Sequence, residues 1–136
     1  MTMLFVNLPV NDLEASKTFY EALGYSINPQ FTDETAACVV ISESIYAMIL
    51  THSKFAQYTP LPIADARAST QVLNALSCES RDEVDAKVNA AVGAGGNTYS
   101  EPVDLGFMYQ WGFQDPDGHM WEVFYMNMAE FEQAGN

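Results

Sequence analysis

Residues Met3 to Leu8 form a short apolar run stopped by Pro9, the pattern of a strand buried on at least one face. The period then changes. Leu13, Ser16, Phe19, Tyr20 and Leu23 fall on one face of a helix, with Asp12 in the N-cap place and Gly24 in that of a C-cap glycine. This spacing predicts a helix over 12–24. Three strand patterns follow, Tyr25 to Phe31, Ala36 to Ser42 and Ile45 to Thr51, and they read as an antiparallel meander broken at Thr32-Asp33-Glu34 and Glu43-Ser44. From His52 to Thr70 the period is lost and Pro60 and Pro62 interrupt the chain, so a linker with at most one helical turn is expected.

Gln71 to Glu79 is again apolar and strand-like, and Ser80 with Glu83 matches the capping box that opens a helix. Val84, Val88, Ala91 and Val92 form the apolar face of a helix near 80–94, which Gly93, Gly95 and Gly96 end. Strands are expected at Thr98 to Glu101, Phe107 to Gln114 and His119 to Met126. Asp115-Pro116-Asp117-Gly118 has the residues of a tight hairpin turn between the last two. Each half thus reads strand, helix, then two or three strands, and an offset of about 70 residues brings Gly24 onto Gly95 and Leu13 onto Val84. An α+β chain of duplicated βαβββ modules accounts for this: one domain over 1–136, with module one at 1–52, a linker at 53–70, module two at 71–127 and a tail at 128–136. Two unrelated α+β halves would give the same order of elements.

Composition narrows the partners. With 49% apolar residues in 136, the chain can bury a core of single-domain size, which excludes disorder. Eighteen acidic residues against five basic ones give a formal charge of −13, so nucleic acid and anionic membranes are repelled. The same excess serves either as a solubilising surface or as an attraction for a cationic ligand. Cys38 and Cys78 sit in apolar stretches, without metal or redox spacing, and read as reduced thiols. The N-terminus lacks a basic leader with a cleavage site, and no apolar run approaches the ~18 residues of a membrane span, so a cytoplasmic protein is expected.

Three segments, in this order and spacing, carry a family resemblance: LPVNDLEASKTFYEALGY at 8–25, the helix of 80–96 before a short strand, and QDPDGHMWEVFY at 114–125. Together they resemble the vicinal oxygen chelate superfamily, which includes glyoxalase I, bleomycin-resistance proteins and extradiol dioxygenases. The resemblance implies a curved eight-stranded mixed sheet around a cleft, commonly completed in a homodimer. It also implies, in the family's metal enzymes, four ligands on four strands, two from each module. The matching positions here are Phe5, Ile49, Leu73 and Glu122. Three are hydrocarbon, so no metal and no other cofactor is expected. His52 and His119 do not replace the ligands, because side chains three apart on a strand point to opposite faces; only a bulge would rebuild a divalent-metal site from them.

Strand parity then fills the implied cleft. Met120 and Phe124 accompany Glu122, Met3 and Asn7 accompany Phe5, Ala47 and Thr51 accompany Ile49, and Ala75 and Ser77 accompany Leu73. The expected ligand-binding set is Phe5, Asn7, Ile49, Thr51, Leu73, Ser77, Met120, Glu122 and Phe124. Leu4, Val6, Leu8, Tyr46, Met48, Leu50, Leu76 and Cys78 form the core behind them. A carboxylate among such neighbours takes up a proton, finds a donor or meets a cationic ligand; pairing with Asn7, Thr51, Ser77 or a tyrosine would make it merely structural. Of Tyr99, Tyr109, Trp111, Trp121 and Tyr125, parity places Trp121 and Tyr125 away from Glu122.

Glyoxalase I activity is disfavoured: the ligands are missing, and none of Lys17, Lys54, Arg67, Arg81 and Lys87 stands at an inward strand position to hold glutathione carboxylates. No nucleophile elbow or glycine-rich phosphate loop occurs. The residues favour a metal-free protein that binds a small hydrophobic molecule, neutral or cationic, in an apolar cleft. The alternative is an enzyme of the lyase or dioxygenase kind using Glu122 as its catalytic acid or base, or as a non-standard metal ligand. A third reading is an inherited fold whose cleft serves only dimer assembly.

Overall fold

The structure is a computed structural model that describes residues 1–129 and 132. The chain divides into two compact units, one ending at Ser69 and the other starting at Thr70. The first holds strand β1 (Leu4–Val10), helix α1 (Leu13–Ala22), strands β2 (Ser26–Asn28), β3 (Ala36–Val40) and β4 (Ile45–Thr51), and the single turn α2 (His52–Phe55). The second holds β5 (Asn74–Ser77), α3 (Arg81–Gly93), β6 (Val103–Asp104), β7 (Met108–Gln114) and β8 (Met120–Met126).

Each unit folds a four-stranded mixed sheet, and the two orders correspond: β1-β4-β3-β2 in one, β5-β8-β7-β6 in the other. In both, the first strand pairs parallel with the last and the remaining pairs are antiparallel. This is the expected α+β architecture of duplicated βαβββ modules.

Local chemistry explains the helices. Asp12 caps α1 by accepting from the Ala15 N–H at 3.1 Å, and Ser80 caps α3 by accepting from the Glu83 N–H at 3.1 Å. The capping box is altered at its return bond: Glu83 Oε2 accepts from the N–H of Glu79, one residue before the cap, at 2.7 Å. Past each helix the chain reverses at a left-handed glycine, Gly24 with φ 98° and Gly95 with φ 105°. At the Asp115 turn, Asp115 Oδ1 accepts from the N–H groups of Asp117 and His119, and Gly118 takes φ 95°, which sets the β7–β8 hairpin.

Several boundaries differ from the sequence reading. The strand expected over 25–31 stops at Asn28, because Pro29 at the start of a 3-10 turn ends the ladder. No strand forms at Thr98 to Glu101; the ladder contact there is a lone bridge from Asn97 to Gln114, and β6 lies further on at Val103–Asp104. The strand expected over 71–79 is confined to Asn74–Ser77. Most of the tail expected at 128–136 lies outside the described residues.

Within each unit one sheet face carries the core. In the first, Ala37, Val39, Ala47 and Ile49 alternate along β3 and β4, and α1 contributes Leu13, Phe19 and Tyr20. In the second, Phe113, Trp121 and Val123 share the buried layer with Val84, Val88 and Ala91 of α3.

Candidate functional site

What remains for function is the other face of each sheet. In the first unit, register pairs Phe5 with Tyr46, Asn7 with Met48 and Pro9 with Leu50, so these residues point to the same side. The rings of Phe5 and Tyr46 stack with centroids 4.6 Å apart and 10° between their planes. This corrects the inferred cleft set. Ile49 pairs with Leu8 and is 0% exposed, so it belongs to the buried layer, on the opposite side of the sheet from Phe5 and Asn7. Thr51 follows Ile49 in parity, and its Oγ1 accepts from the Lys54 N–H to cap α2. The roles of Tyr46, Met48 and Leu50 are likewise reversed. A one-residue error in placing the matched position on β4 turns every side chain to the wrong face. Asn7 is engaged locally, donating from Nδ2 to the Phe5 carbonyl at 3.2 Å.

In the second unit, β8 places Met120, Glu122, Phe124 and Met126 on the non-buried face. Parallel pairing adds Ala75 and Ser77 from β5, and antiparallel pairing adds Met108, Gln110, Gly112 and Gln114 from β7. Leu73 stands just before β5 and is 53% exposed. Trp121 is buried on the opposite face, and Tyr125 shares that side.

The residue that sequence reasoning left aside is Tyr99. The segment before β6 is pinned to the edge of β7: Asn97 and Gln114 exchange backbone bonds, Thr98 Oγ1 donates to the Gly112 carbonyl at 2.7 Å, and Trp111 Nε1 donates to the Ser100 carbonyl at 2.8 Å. From there the Tyr99 ring crosses over Gly112, and its hydroxyl donates to the Trp121 carbonyl at 3.2 Å. A Cβ at residue 112 would stand 2.6 Å from Cζ of Tyr99, so the crossing requires glycine. Tyr99, Glu101, Val103, Gln110 and Glu122 wall a recess of about 40 Å³ over Gly112. Burial and the charge of Glu122 both push the Tyr99 hydroxyl above its ordinary range, so it stays protonated beside the carboxylate.

Other polar groups of this unit are structural. Tyr109 Oη donates to Asp85 Oδ1 at 2.6 Å, which pushes the phenol up to about 12. Arg81 lies 5.3 Å from the Tyr109 ring centroid and bonds Asp104 at 2.7 Å and the Gly106 carbonyl at 2.9 Å, tying the β6 turn to α3. A wider depression of about 400 Å³ at the start of α3 borders this tie on Arg81 and Tyr125. Burial pushes the Cys78 thiol up to about 11, which makes it a poor nucleophile.

The donor set does not fit the metal that the resemblance would imply. The face that carries Phe5 offers Asn7, Tyr46 and Met48, and the face that carries Glu122 offers Ser77, Gln110 and Gln114, with Glu101 the one further carboxylate near it, so no imidazole of the described residues joins the carboxylates there. Among the described residues no group of three His, Cys, Asp or Glu side chains comes together to hold an ion. No helix among them is long and apolar enough to cross a membrane.

The paired βαβββ architecture defines the class, that of the glyoxalase and bleomycin-resistance folds, and the comparisons agree. Residues 2–42 match the family described as bleomycin resistance protein-like N-terminal. A hypothetical protein, SA1046 from S. aureus, superposes with TM-score 0.78 at 27% identity, over 92% of this chain and 94% of that one. A glyoxalase/bleomycin resistance protein from Albidiferax ferrireducens T118 gives 0.66 at 26%, over 89% and 95%. A glyoxalase-related enzyme from Fulvimarina pelagi shares the fold with TM-score 0.76 at 21%, over 92% and 88%. None of the curated proteins is similar enough in sequence to match. Over most of its length the chain thus shares the fold of the glyoxalase and bleomycin-resistance proteins.

Proposed function

We propose that the protein binds a small hydrophobic molecule, without a metal ion, on the non-buried face of the second module's sheet. The observation that carries this reading is the make-up of that face. Met108, Met120, Phe124 and Met126 supply apolar, adaptable surface around one carboxylate, Glu122, and three of the four are thioethers that can repack around ligands of different shape. The named glyoxalases and bleomycin-resistance proteins that share the fold support a small-molecule role, and the donor set supports a site that works without metal. A homodimer is part of the proposal, on the resemblance alone, and sedimentation velocity showing only monomer at micromolar concentration would remove it.

The test uses hexan-1-ol as a neutral apolar probe, followed by ¹H–¹⁵N correlation spectra of the intact chain. Saturable shifts are expected at the amides of Ser77, Gly112, Glu122 and Phe124. Absence of saturable shifts there overturns the reading. Protein purified without chelator should carry no stoichiometric nickel, zinc, iron or manganese. One such metal per chain, lost on Glu122→Gln, would favour the alternative, an enzyme of the lyase or dioxygenase kind.

A further inference from the structure

The recess over Gly112 says more about the ligand than the apolar face does. Its volume of about 40 Å³ exceeds the ~10–15 Å³ that one water needs, so it accepts a group of ammonium or methyl size. Two of its walls are carboxylates, Glu101 and Glu122, one is the Tyr99 ring, and no basic side chain is among its lining residues. Among the described residues no donor or cation bonds the Glu122 carboxylate, although Tyr99 stands beside it with its hydroxyl spent on the Trp121 carbonyl. A half-buried carboxylate without an internal partner is stabilised by a donor brought from outside, and three N–H donors on a compact cation suit the group and the space.

Resting on the binding reading above, we propose that the ligand carries a primary ammonium group on an apolar body, and that Tyr99 is the specificity-determining residue. The ammonium enters the recess against Glu122 and the ring of Tyr99, and the apolar body lies along Phe124 and the methionines. Tyr99 is set in place by Gly112, because any Cβ there would occupy the position of the ring. The carboxylate supplies the charge, and the aromatic wall narrows the recess in favour of a compact cation over a bulkier one.

Hexylammonium, hexan-1-ol and hexyltrimethylammonium are titrated into the intact protein in high salt, where the attraction of the overall negative charge is screened. Hexylammonium should bind about tenfold tighter than the alcohol, with the trimethylated cation no tighter than the alcohol. Gly112→Ala, which displaces Tyr99 and leaves Glu122 in place, should abolish discrimination between the two cations. Tyr99→Leu should do the same should the glycine variant fail to fold. Glu122→Gln should bring hexylammonium down to the alcohol. Equal binding of alcohol and hexylammonium overturns this inference and leaves the binding reading standing, whereas no binding of any of the three removes both. A preference for hexylammonium that survives both Gly112→Ala and Glu122→Gln would trace to net charge and would also overturn the inference.

Discussion

The two modules share one strand order and differ in what they place on the face away from the helix. Module one packs part of that face: Ala36, Cys38 and Leu50 are buried there, and Phe5, still 45% exposed, stacks on Tyr46. Module two leaves the equivalent face open, with no buried side chain among Ala75, Ser77, Gln110, Gln114, Met120, Glu122 and Phe124. A duplicated fold has thus been used in two ways, with one copy spending its second face on packing and the other keeping a carboxylate, a glycine and an aromatic ring there. Chemistry follows side-chain placement, and common topology leaves that placement free.

The sharpest way to break this comparison is to truncate both kinds of residue in module one. Ile49→Ala removes a fully buried side chain and should cost about 3 kcal/mol in urea unfolding, whereas Phe5→Ala, at 45% exposure, should cost about 1 kcal/mol. Equal losses would mean that the buried and non-buried faces of β1 and β4 are wrongly assigned. Next in size is Gly112→Ala in module two, expected to cost about 2 kcal/mol because the Tyr99 ring must be displaced. A neutral effect would show that Tyr99 is not seated over Gly112.

Element type was legible wherever local chemistry decides it. Asp12, Ser80, Gly24, Gly95 and the Asp115 turn act through bonds within a few residues, so a linear reading finds them. Face assignment was legible on β8, where Met120, Glu122 and Phe124 are fixed by parity along one strand. It failed on β4, because relating Ile49 to Phe5 requires the register of two strands separated by a helix and a meander. The Tyr99 wall was invisible for the same reason, since it joins residues 99, 112 and 121 across a sheet. One signal did exist: a lone glycine inside the strand pattern Met108–Gln114 marks a close approach by something else.

A smaller effect separates structural polar groups of module two from those on its open face. The bond to Asp85 is the chief cause that pushes the Tyr109 phenol of the folded chain up to about 12, above the ordinary value of about 10. Because the folded value is the higher one, the contribution to stability is complete below about pH 10 and is lost as pH rises through about 12. Tyr109→Phe should cost about 1 kcal/mol at neutral pH and flatten the fall in stability over that alkaline window. Chemical denaturation from pH 8 to 12 checks this, and an unchanged slope would mean that the Asp85 bond does not persist in solution.

The smallest expected effect on stability falls on the residue with the most functional weight. Glu122 accepts no hydrogen bond from a described residue, and it lies on the face where no side chain is fully buried. Replacing it with glutamine therefore removes no internal bond, and unfolding free energy without ligand should change by less than about 0.5 kcal/mol, toward higher stability if toward either side. Module one holds no counterpart on its own face, where Phe5 and Tyr46 fill the space with stacked rings. A loss of several kcal/mol on Glu122→Gln would make the carboxylate an already paired structural group, and would place both modules in the same packed class. A silent change in stability together with a loss of hexylammonium binding would instead assign the charge to ligand recognition, since a group that contributes nothing to the free fold has its partner outside it.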